Sequence, residues 1–254
     1  MNSEIKKYWS KASASAHRRN DEDFYLRNAE EHIEIIRQAN DGAELIDLGC
    51  GAGKLLRHYL KRLNCSAGLD ISPSMLAEAR RLIHGDGIRD FNLIHADPLK
   101  YMATCNIPVW TTCGALNQYL DKEDIEDFVA IFRDNKYAKC LYLFETICPI
   151  RLPLMSIGIS FREEHWSLMP GMKRKIKVLI SRAIYAQNFI RGKYSGETVY
   201  LGSPIMGYGH SPKLWLTLGK KLGLNVSIIG SRYYEYRYHV TFSKDAHLKR
   251  HTYG

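Results

Sequence analysis

The sequence of 254 residues predicts an α/β fold, in which a mostly parallel sheet carries helices on both faces. Short apolar segments alternate with amphipathic segments from residue 44 to residue 145, which is the rhythm of β-α-β units. A glycine-rich turn at residues 49–53 follows the first predicted strand. Near the C-terminus, a short connection separates two more apolar segments, which predicts an antiparallel hairpin.

The individual elements follow from the pattern in chain order. Apolar residues at three- to five-residue steps predict a first helix at 21–39, which ends at the turn of residues 40–42. Five strands are predicted at 44–48, 65–70, 91–97, 109–113 and 140–145. The helices between them are predicted at 54–63, 73–83 and 122–135. A last helix at 212–222 stops at Gly223, before hairpin strands at 225–229 and 236–242.

This order divides the chain into four parts. An N-terminal helical segment covers residues 1–40, and the α/β core covers 41–146. The rhythm breaks in an insertion at 147–209, in which an amphipathic pattern at 172–193 predicts a helix. Residues 210–254 hold the final helix and the hairpin that completes the core.

Composition limits the class of protein. The start of the chain lacks a secretory signal, and no run of about 20 apolar residues predicts a spanning helix. The six cysteines form no Cys-x-x-Cys pair, so reduced thiols in a cytoplasmic protein without a metal site are expected. The formal net charge is +9, and residues 151–210 hold nine basic against three acidic residues. This surplus indicates an anionic partner or, alternatively, a solvated basic face.

The glycine turn lies in the segment Asp47-Leu-Gly-Cys-Gly-Ala-Gly53. A P-loop is excluded because residue 55 is Leu where that motif needs Ser or Thr. A dinucleotide fingerprint is excluded because residue 54 is Lys where the third glycine belongs. The remaining Gly-x-Gly-x-Gly spacing lets a ligand approach the backbone closely, although a tight structural turn gives the same pattern.

Two further carboxylates favour a ligand. Asp70 closes the second predicted strand, where it could accept hydrogen bonds from both hydroxyls of a ribose. Met75 lies one turn into the next helix, where it could pack beside an adenine ring. Asp97 closes the third strand and could accept from an exocyclic amine. A helix N-cap is the alternative for any one of these acids, above all for Asp97 before Pro98. Their joint spacing is harder to explain in that way.

With these motifs the sequence resembles the class I S-adenosylmethionine (SAM)-dependent methyltransferase superfamily, in its small-molecule branch. Leu45–Gly53 is similar to the family's first motif, Gly68–Met75 to its acidic loop and His95–Asp97 to its adenine motif. The resemblance covers residues 40–146 well and the hairpin loosely. It implies a Rossmann-like, seven-stranded, mostly parallel sheet with the last strand antiparallel, SAM at the strand tips and S-adenosyl-L-homocysteine (SAH) as product.

The resemblance also implies which residues hold SAM. Asp47 and the loop backbone would hold the methionine part, Asp70 the ribose and Asp97 the adenine amine. N-terminal aromatic and arginine side chains close over SAM in several small-molecule members, although such residues could also only pack a helix. The complete implied set is Tyr8, Trp9, Arg18, Asp47, Gly49, Cys50, Gly51, Gly53, Asp70, Ile71, Met75, Ala96, Asp97, Pro98, Thr112, Cys113 and Gly114.

The methyl acceptor must be sought outside these motifs. Residues 112–119 lack the Asp/Asn-Pro-Pro-aromatic signature of exocyclic-amine methylation, and Cys148 lacks the companion motif of pyrimidine methylation. These absences argue against nucleic acid and favour a small molecule. The segment at 172–193 is interpreted as a lid over an anionic acceptor, as a helix on a membrane surface, or as simple packing.

The expected function is therefore methyl transfer from SAM to O or N of a small anionic metabolite, such as a phosphate- or nucleotide-linked sugar. An oxygen acceptor usually needs a general base, and His210 is the first candidate, with Glu145 second. Two alternatives remain open. The basic charge also suits an RNA methyltransferase, and a non-catalytic SAM-binding module would bind SAM without turnover. The oligomeric state is not predicted.

Overall fold

The computed structural model describes residues 3–11, 22–114, 116–152, 196–201 and 207–245. The predicted insertion helix at 172–193 and Arg18 lie outside these residues. The helices are α1 (Ser3–Ser10), α2 (Glu22–Asn40), α3 (Leu56–Arg62), α4 (Pro73–Gly85), α5 (Pro98–Met102), α6 (Leu116–Tyr119), α7 (Lys122–Asp134) and α8 (Pro212–Leu222). The strands are β1 (Leu45–Leu48), β2 (Cys65–Asp70), β3 (Asn92–His95), β4 (Val109–Cys113), β5 (Cys140–Ile147), β6 (Thr198–Tyr200), β7 (Tyr208–His210), β8 (Asn225–Gly230) and β9 (Arg237–Ser243).

Seven strands form one sheet in the order β3-β2-β1-β4-β5-β9-β8. The strands β1 to β5 pair in parallel, whereas β9 pairs antiparallel with both β5 and β8. The predicted mostly parallel sheet with an antiparallel last strand is thereby confirmed. Because the parallel strands share one direction, their carboxyl ends meet at a single edge, which is where open α/β sheets bind ligands.

Helices cover both faces of the sheet, because successive strand residues point to opposite sides. Leu45, Tyr142 and Phe144 pack in the cluster that includes α2, α3 and α4. Ile46 and Trp110 pack in the cluster on the other face, with α5, α7 and α8. Among the described residues, no helix is long and apolar enough to cross a membrane.

The structure differs from the predicted elements in several places, and two of them concern residues of the predicted site. The third strand was predicted to reach residue 97, but it ends at His95, and Asp97 instead caps α5, in which Pro98 is the first residue. At the C-terminal end of the predicted insertion and running one residue past it, β6 and β7 pair antiparallel as a separate two-stranded sheet. Its strands are three residues long and lie outside the alternating β-α-β segments, so no periodic pattern in the sequence predicted them.

A β-bulge interrupts the pairing of β5 with β9 between Leu143 and Thr146. Glu145, within this bulge, has a φ of 57°, the one positive φ of a residue other than glycine in the described chain. An extra residue in a bulged strand changes the direction in which a side chain points. The bulge lies at the carboxyl end of β5, next to the edge at which the ligand site is expected.

Candidate active site

The glycine turn forms a closed loop between β1 and α3. The backbone N–H groups of Gly49 and Cys50 both donate to the carbonyl of Leu69 on β2, over 2.7 and 2.9 Å. Gly51 and Gly53 have φ values of 54° and 75°, which only glycine adopts at little cost. A Cβ on Gly53 would also lie 2.9 Å from the Cβ of Ala79 on α4, so the loop packs closely against that helix.

Asp47 lies below the loop, buried at the end of β1. Its carboxylate accepts a hydrogen bond of 3.3 Å from the hydroxyl of Thr111 on β4. Burial raises the pKa of Asp47 to about 7, and the negative charge of Asp70 acts in the same direction, while the Thr111 hydroxyl opposes both. A cationic group of a ligand would therefore be stabilised here, because no described basic side chain pairs with this carboxylate.

Asp70 connects the loop to the end of β2. Its carboxylate accepts hydrogen bonds from the backbone N–H groups of Gly51 and Ser72, each over 2.8 Å. Burial raises the pKa of Asp70, and these backbone donors partly offset that effect. A carboxylate offers about four lone-pair positions, so its backbone donors leave acceptor capacity for a ligand hydroxyl.

Asp97 is a helix N-cap, which was the alternative interpretation of this residue. Its carboxylate accepts a hydrogen bond from the N–H of Leu99 in α5 over 3.2 Å. Contact of this carboxylate with adenine stays a prediction. Two hydrogen bonds join the ends of β2 and β3 in this region. Ala96 donates its N–H to the carbonyl of Asp70, and the carbonyl of Ile71 lies 3.0 Å from the His95 ring. Pro98 is buried.

The N-terminal helix α1 lies against the cofactor loop. Trp9 packs on Ala52 of the loop and on the buried Met75 of α4. Its ring is also 4.8 Å from the ring of Tyr119 on α6, and Tyr8 lies edge-on to it at 5.1 Å. The structure therefore brings both predicted aromatic residues of the N-terminus to the predicted SAM site.

The end of β4 forms the wall of the site next to β5. The Thr112 hydroxyl accepts from the N–H of Leu116, and the N–H of Gly114 donates to the carbonyl of Phe144. Burial and nearby carboxylates raise the pKa of the Cys113 thiol well above its usual value. This thiol is therefore protonated and unreactive at neutral pH, and it contributes a small apolar surface.

Glu145 lies in a buried group of charged side chains that the sequence did not predict. Its carboxylate contacts the Nη1 of Arg237 at 3.1 Å and accepts from the Ser231 hydroxyl at 3.3 Å. The Nε2 atoms of His32 on α2 and His239 on β9 lie 3.8 and 3.9 Å from it. His239 also lies 3.2 Å from Glu31. The signal in the sequence was a pair of polar residues, 31 and 32, on the apolar face of α2.

The ligand atoms of His32, Glu145 and His239 all lie within 4.8 Å of one another, as in a metal site. One backbone hydrogen bond bears on whether a metal could bind here. The N–H of Glu145 donates to the Nδ1 of His239 over 3.2 Å, so a neutral His239 carries its proton on Nε2. A metal would need the lone pair of that nitrogen, whereas metal-binding histidines donate their other N–H outward.

The geometry argues against both predicted general bases. Glu145 is 1% exposed, and although burial raises its pKa, the neighbouring His32 ring and the charge of Arg237 outweigh that effect and lower the pKa to about 2. His210 is 0% exposed between Thr198 and the ring of Trp215. Burial lowers the pKa of His210 to about 4, so its imidazole is a weak proton acceptor. Catalysis by His210 or Glu145 stays a prediction, and the described neighbours of the Glu145 carboxylate are Arg237, Ser231 and two histidine rings.

Comparison with known proteins agrees with this architecture. A family model described as a methyltransferase domain matches residues 45–134. The dTDP-3-amino-3,4,6-trideoxy-alpha-D-glucopyranose N,N-dimethyltransferase of Streptomyces venezuelae is 32% identical over 75 residues, which are 27% of this chain and 32% of that protein. The dTDP-3-amino-3,6-dideoxy-alpha-D-glucopyranose N,N-dimethyltransferase of Streptomyces fradiae is 36% identical over 83 residues, 30% of this chain and 32% of that protein. The match thus spans about a third of the length of these curated relatives.

Solved structures show the same fold over most of the chain. The magnesium protoporphyrin IX methyltransferase of Synechocystis PCC 6803, crystallised with bound SAH, has a TM-score of 0.53 and 14% identity. The similarity covers 87% of this chain and 84% of that enzyme. At this identity the likeness shows the fold alone, which is the Rossmann-like methyltransferase fold.

Proposed function

Because this chain has the class I methyltransferase fold and carries a methyltransferase domain at residues 45–134, we propose that it transfers a methyl group from SAM to a small-molecule acceptor. SAM supplies an electrophilic methyl group on its sulfonium, so the protein has to align the acceptor lone pair with that carbon. The acceptor that we propose is an anionic metabolite of the sugar-nucleotide type.

One observation carries the cofactor assignment. Asp47 and Asp70 lie with the glycine loop at the carboxyl edge of the sheet, and the raised pKa of Asp47 marks a place that favours a cation. In the proposed complex Asp47 would hold the ammonium of the methionine part, and Asp70 the ribose hydroxyls. The loop backbone would lie against the methionine part and Asp97 would contact the adenine amine, while Trp9 and Cys113 would exclude water from the reacting centre.

The acceptor class is supported by two arguments of different kinds. The two Streptomyces relatives are named as N,N-dimethyltransferases of dTDP-linked amino sugars. Within the described residues, His210 and Glu145 are buried, which makes neither of them a ready base for a hydroxyl acceptor. An amine that arrives neutral needs no base to attack, so we propose N-methylation before O-methylation.

Isothermal titration calorimetry with SAM and SAH tests the cofactor assignment. We expect the wild type to bind both, and Asp70→Ala to weaken SAH binding about tenfold or more, since hydrogen bonds to a charged group are worth about 1.5–3 kcal/mol. Asp90→Ala is the matched control, because Asp90 is an exposed acid before the opposite end of β3. If the wild type binds neither compound, the proposed function is wrong.

Turnover tests the acceptor. The protein is incubated with methyl-labelled SAM and, in separate reactions, dTDP-amino sugars, dTDP-sugars without an amine, and small RNA. Label in the amino sugars alone would support N-methylation of a sugar nucleotide. If the label appears in RNA, the acceptor is RNA and the sugar-nucleotide proposal is wrong. If the protein binds SAM but labels no compound in a wider metabolite pool, a non-catalytic SAM-binding module is favoured.

A further inference from the structure

We propose that His239 is a pH-sensitive switch, which holds the peptide group between Phe144 and Glu145 in place when the ring is neutral and releases it when the ring is protonated. The same peptide group also holds Gly114, a residue of the predicted SAM site. Protonation of His239 would therefore change the wall beside the methyl donor. This inference goes beyond the proposed function and does not depend on which acceptor is methylated.

One planar peptide group joins the His239 ring to the end of β4. Its N–H belongs to Glu145 and donates to the Nδ1 of His239 over 3.2 Å. Its carbonyl belongs to Phe144 and accepts from the N–H of Gly114 over 3.1 Å and from the Nδ2 of Asn117 over 3.0 Å. Because the N–H and the carbonyl lie in one rigid plane, a rotation that moves the N–H away from His239 also turns the carbonyl away from Gly114.

The hydrogen bond from Glu145 fixes which nitrogen of the His239 ring carries the proton. A backbone N–H can only donate, so Nδ1 is the unprotonated nitrogen and the neutral ring has its proton on Nε2. A second proton can therefore bind only to Nδ1. The imidazolium would then present an N–H to the N–H of Glu145, and a contact between two donors would replace the hydrogen bond. The peptide group must turn to remove that contact.

The backbone at this place is held in a conformation that it would not adopt alone. Glu145 has a φ of 57° and lies within the bulge between β5 and β9. A residue other than glycine keeps such a conformation only where the surrounding contacts require it. The hydrogen bond to His239 is one of these contacts, so its loss would let residue 145 relax.

The buried group of charged side chains around His239 holds more negative than positive charge. With neutral histidines, the two carboxylates of Glu31 and Glu145 face one guanidinium, that of Arg237, because Arg232 pairs with the exposed Glu34. Among the described residues, the Oε2 of Glu31 and the Nε2 atoms of both histidines are buried and make no hydrogen bond. A buried charge without a partner is unfavourable, so this group favours the uptake of one proton. Its titratable and charged members are Glu31 and His32 of α2, Tyr59 of α3, Cys113 of β4, Glu145 of β5, Arg232 of the β8–β9 connection, and Arg237 and His239 of β9.

His239 is a better site for this proton than His32. The Nε2 of His239 lies 3.2 Å from Glu31 and 3.9 Å from Glu145, so an imidazolium there would face two carboxylates. The Nε2 of His32 has one carboxylate oxygen at 3.8 Å, and its Nδ1 lies 2.7 Å from the Tyr59 hydroxyl. Burial is the largest influence on His32 and lowers its pKa, which keeps that ring neutral at neutral pH. Because histidine ordinarily changes its charge between about pH 5 and about pH 8, we expect the switch in that range.

Nuclear magnetic resonance of the ligand-free protein tests the switch between about pH 8 and about pH 5. With ¹⁵N-labelled histidine, the imidazole spectra report which ring nitrogen carries a proton. We expect the His239 ring to have its proton on Nε2 at about pH 8 and to gain a second one on Nδ1 as the pH falls. The amide resonances of Glu145 and Gly114 should shift with the same midpoint, because both amides depend on the same peptide group.

His239→Asn is the decisive variant, because its amide oxygen can lie where the Nδ1 lies and accept from the N–H of Glu145 without titrating. It should abolish the pH-dependent shift of the Glu145 and Gly114 amides. His32→Asn is the matched control, since it removes the other ring of the same group and should keep the common titration. Asp47→Asn should keep it too, although burial raises the pKa of Asp47 to about 7 and this carboxyl titrates in the same range.

Circular dichroism and the thermal midpoint establish that each variant is folded, and the wild-type spectra test the switch without any variant. The proposal is wrong if the wild-type His239 ring has its proton on Nδ1 at about pH 8, or if it gains no second proton down to about pH 5. If the Glu145 amide titrates with His239 but the Gly114 amide does not, the link to the predicted SAM site is overturned.

A common titration that survives His239→Asn and disappears in His32→Asn would assign the proton to His32 and overturn the role of His239. None of these spectra requires SAM or SAH. A protein that binds neither compound would therefore refute the proposed function and leave the switch to be judged by its own titration.

Discussion

Asp47 allows a prediction about how SAM binding depends on pH. Burial raises its pKa to about 7 in the free protein, so at neutral pH about half of the molecules carry the protonated acid. If the ammonium of SAM pairs with this side chain, the ionised form is favoured and the pKa falls well below 7 in the complex. Binding must then release a proton, and the affinity must rise with pH up to about 7.

The magnitude follows from the pKa of the free protein. The pKa of Asp47 is about 7 in the free protein and is expected to be low in the complex. The affinity for SAM at about pH 7 should therefore exceed that at about pH 5.5 by about 15-fold. This ratio corresponds to about 1.6 kcal/mol of binding free energy, at about 1.4 kcal/mol for each factor of ten. The amino group of SAM stays largely protonated over this range, since α-amino groups titrate near pH 8.

Calorimetric titration with SAM at these two pH values measures the ratio directly. Repeating the titration at about pH 6.5 in two buffers of different ionisation enthalpy counts the released proton. Asp47→Asn is the control, and it should bind more weakly at about pH 7 with little dependence on pH. An affinity of the wild type that is flat between the two pH values, with equal heats in both buffers, would refute the assignment of Asp47 to the ammonium.

Two further predictions concern stability. Gly68→Ala places a methyl group against Leu56 under the cofactor loop and should lower the free energy of unfolding by about 1–3 kcal/mol in urea titrations, whereas Gly85→Ala, where a Cβ meets no atom within 4 Å, should not. Glu145 has a depressed pKa of about 2, so the stability it contributes is present above its unfolded pKa near 4.5 and is lost as the pH falls toward 2. The difference in unfolding free energy between wild type and Glu145→Gln should therefore shrink between about pH 5 and about pH 3, and a constant difference would contradict this.

The parts of the fold that local patterns determine were predicted from the sequence. The strand 45–48, the glycine turn and the following helix are adjacent in the chain, and their alternation and glycines express the local backbone directly. Helix α3 nevertheless begins at Leu56, two residues after the predicted start, because the loop continues past Gly53. Helix α5 was missed although Asp97 and Pro98 are a typical helix start, since the apolar residues before them favoured a longer strand.

Pairings between distant segments were beyond the reach of periodicity. Strands β6 and β7 are each three residues long, so neither shows an alternation that distinguishes a strand from a loop. The buried charge network joins Glu31 and His32 of α2 with Glu145 of β5 and Arg237 of β9. Apart from the polar pair on the apolar face of α2, no pattern marked these residues, and only the tertiary fold brings them together.

Glu145 shows that a position near the end of a strand predicts where a side chain lies in the sheet, but not which role the side chain has. The sequence predicted this carboxylate as the last residue of the fifth strand, and the prediction of a general base followed from that place, whereas β5 in the structure runs two residues further, to Ile147. A regular strand would point residue 145 to the face opposite Phe144, but the bulge and the positive φ turn it to the side of His32, whose ring also stacks on Phe144. In the structure this carboxylate is buried and pairs with Arg237, and its role as a general base stays a prediction. The backbone outlier, which no sequence pattern encodes, therefore decides where this carboxylate lies in the structure.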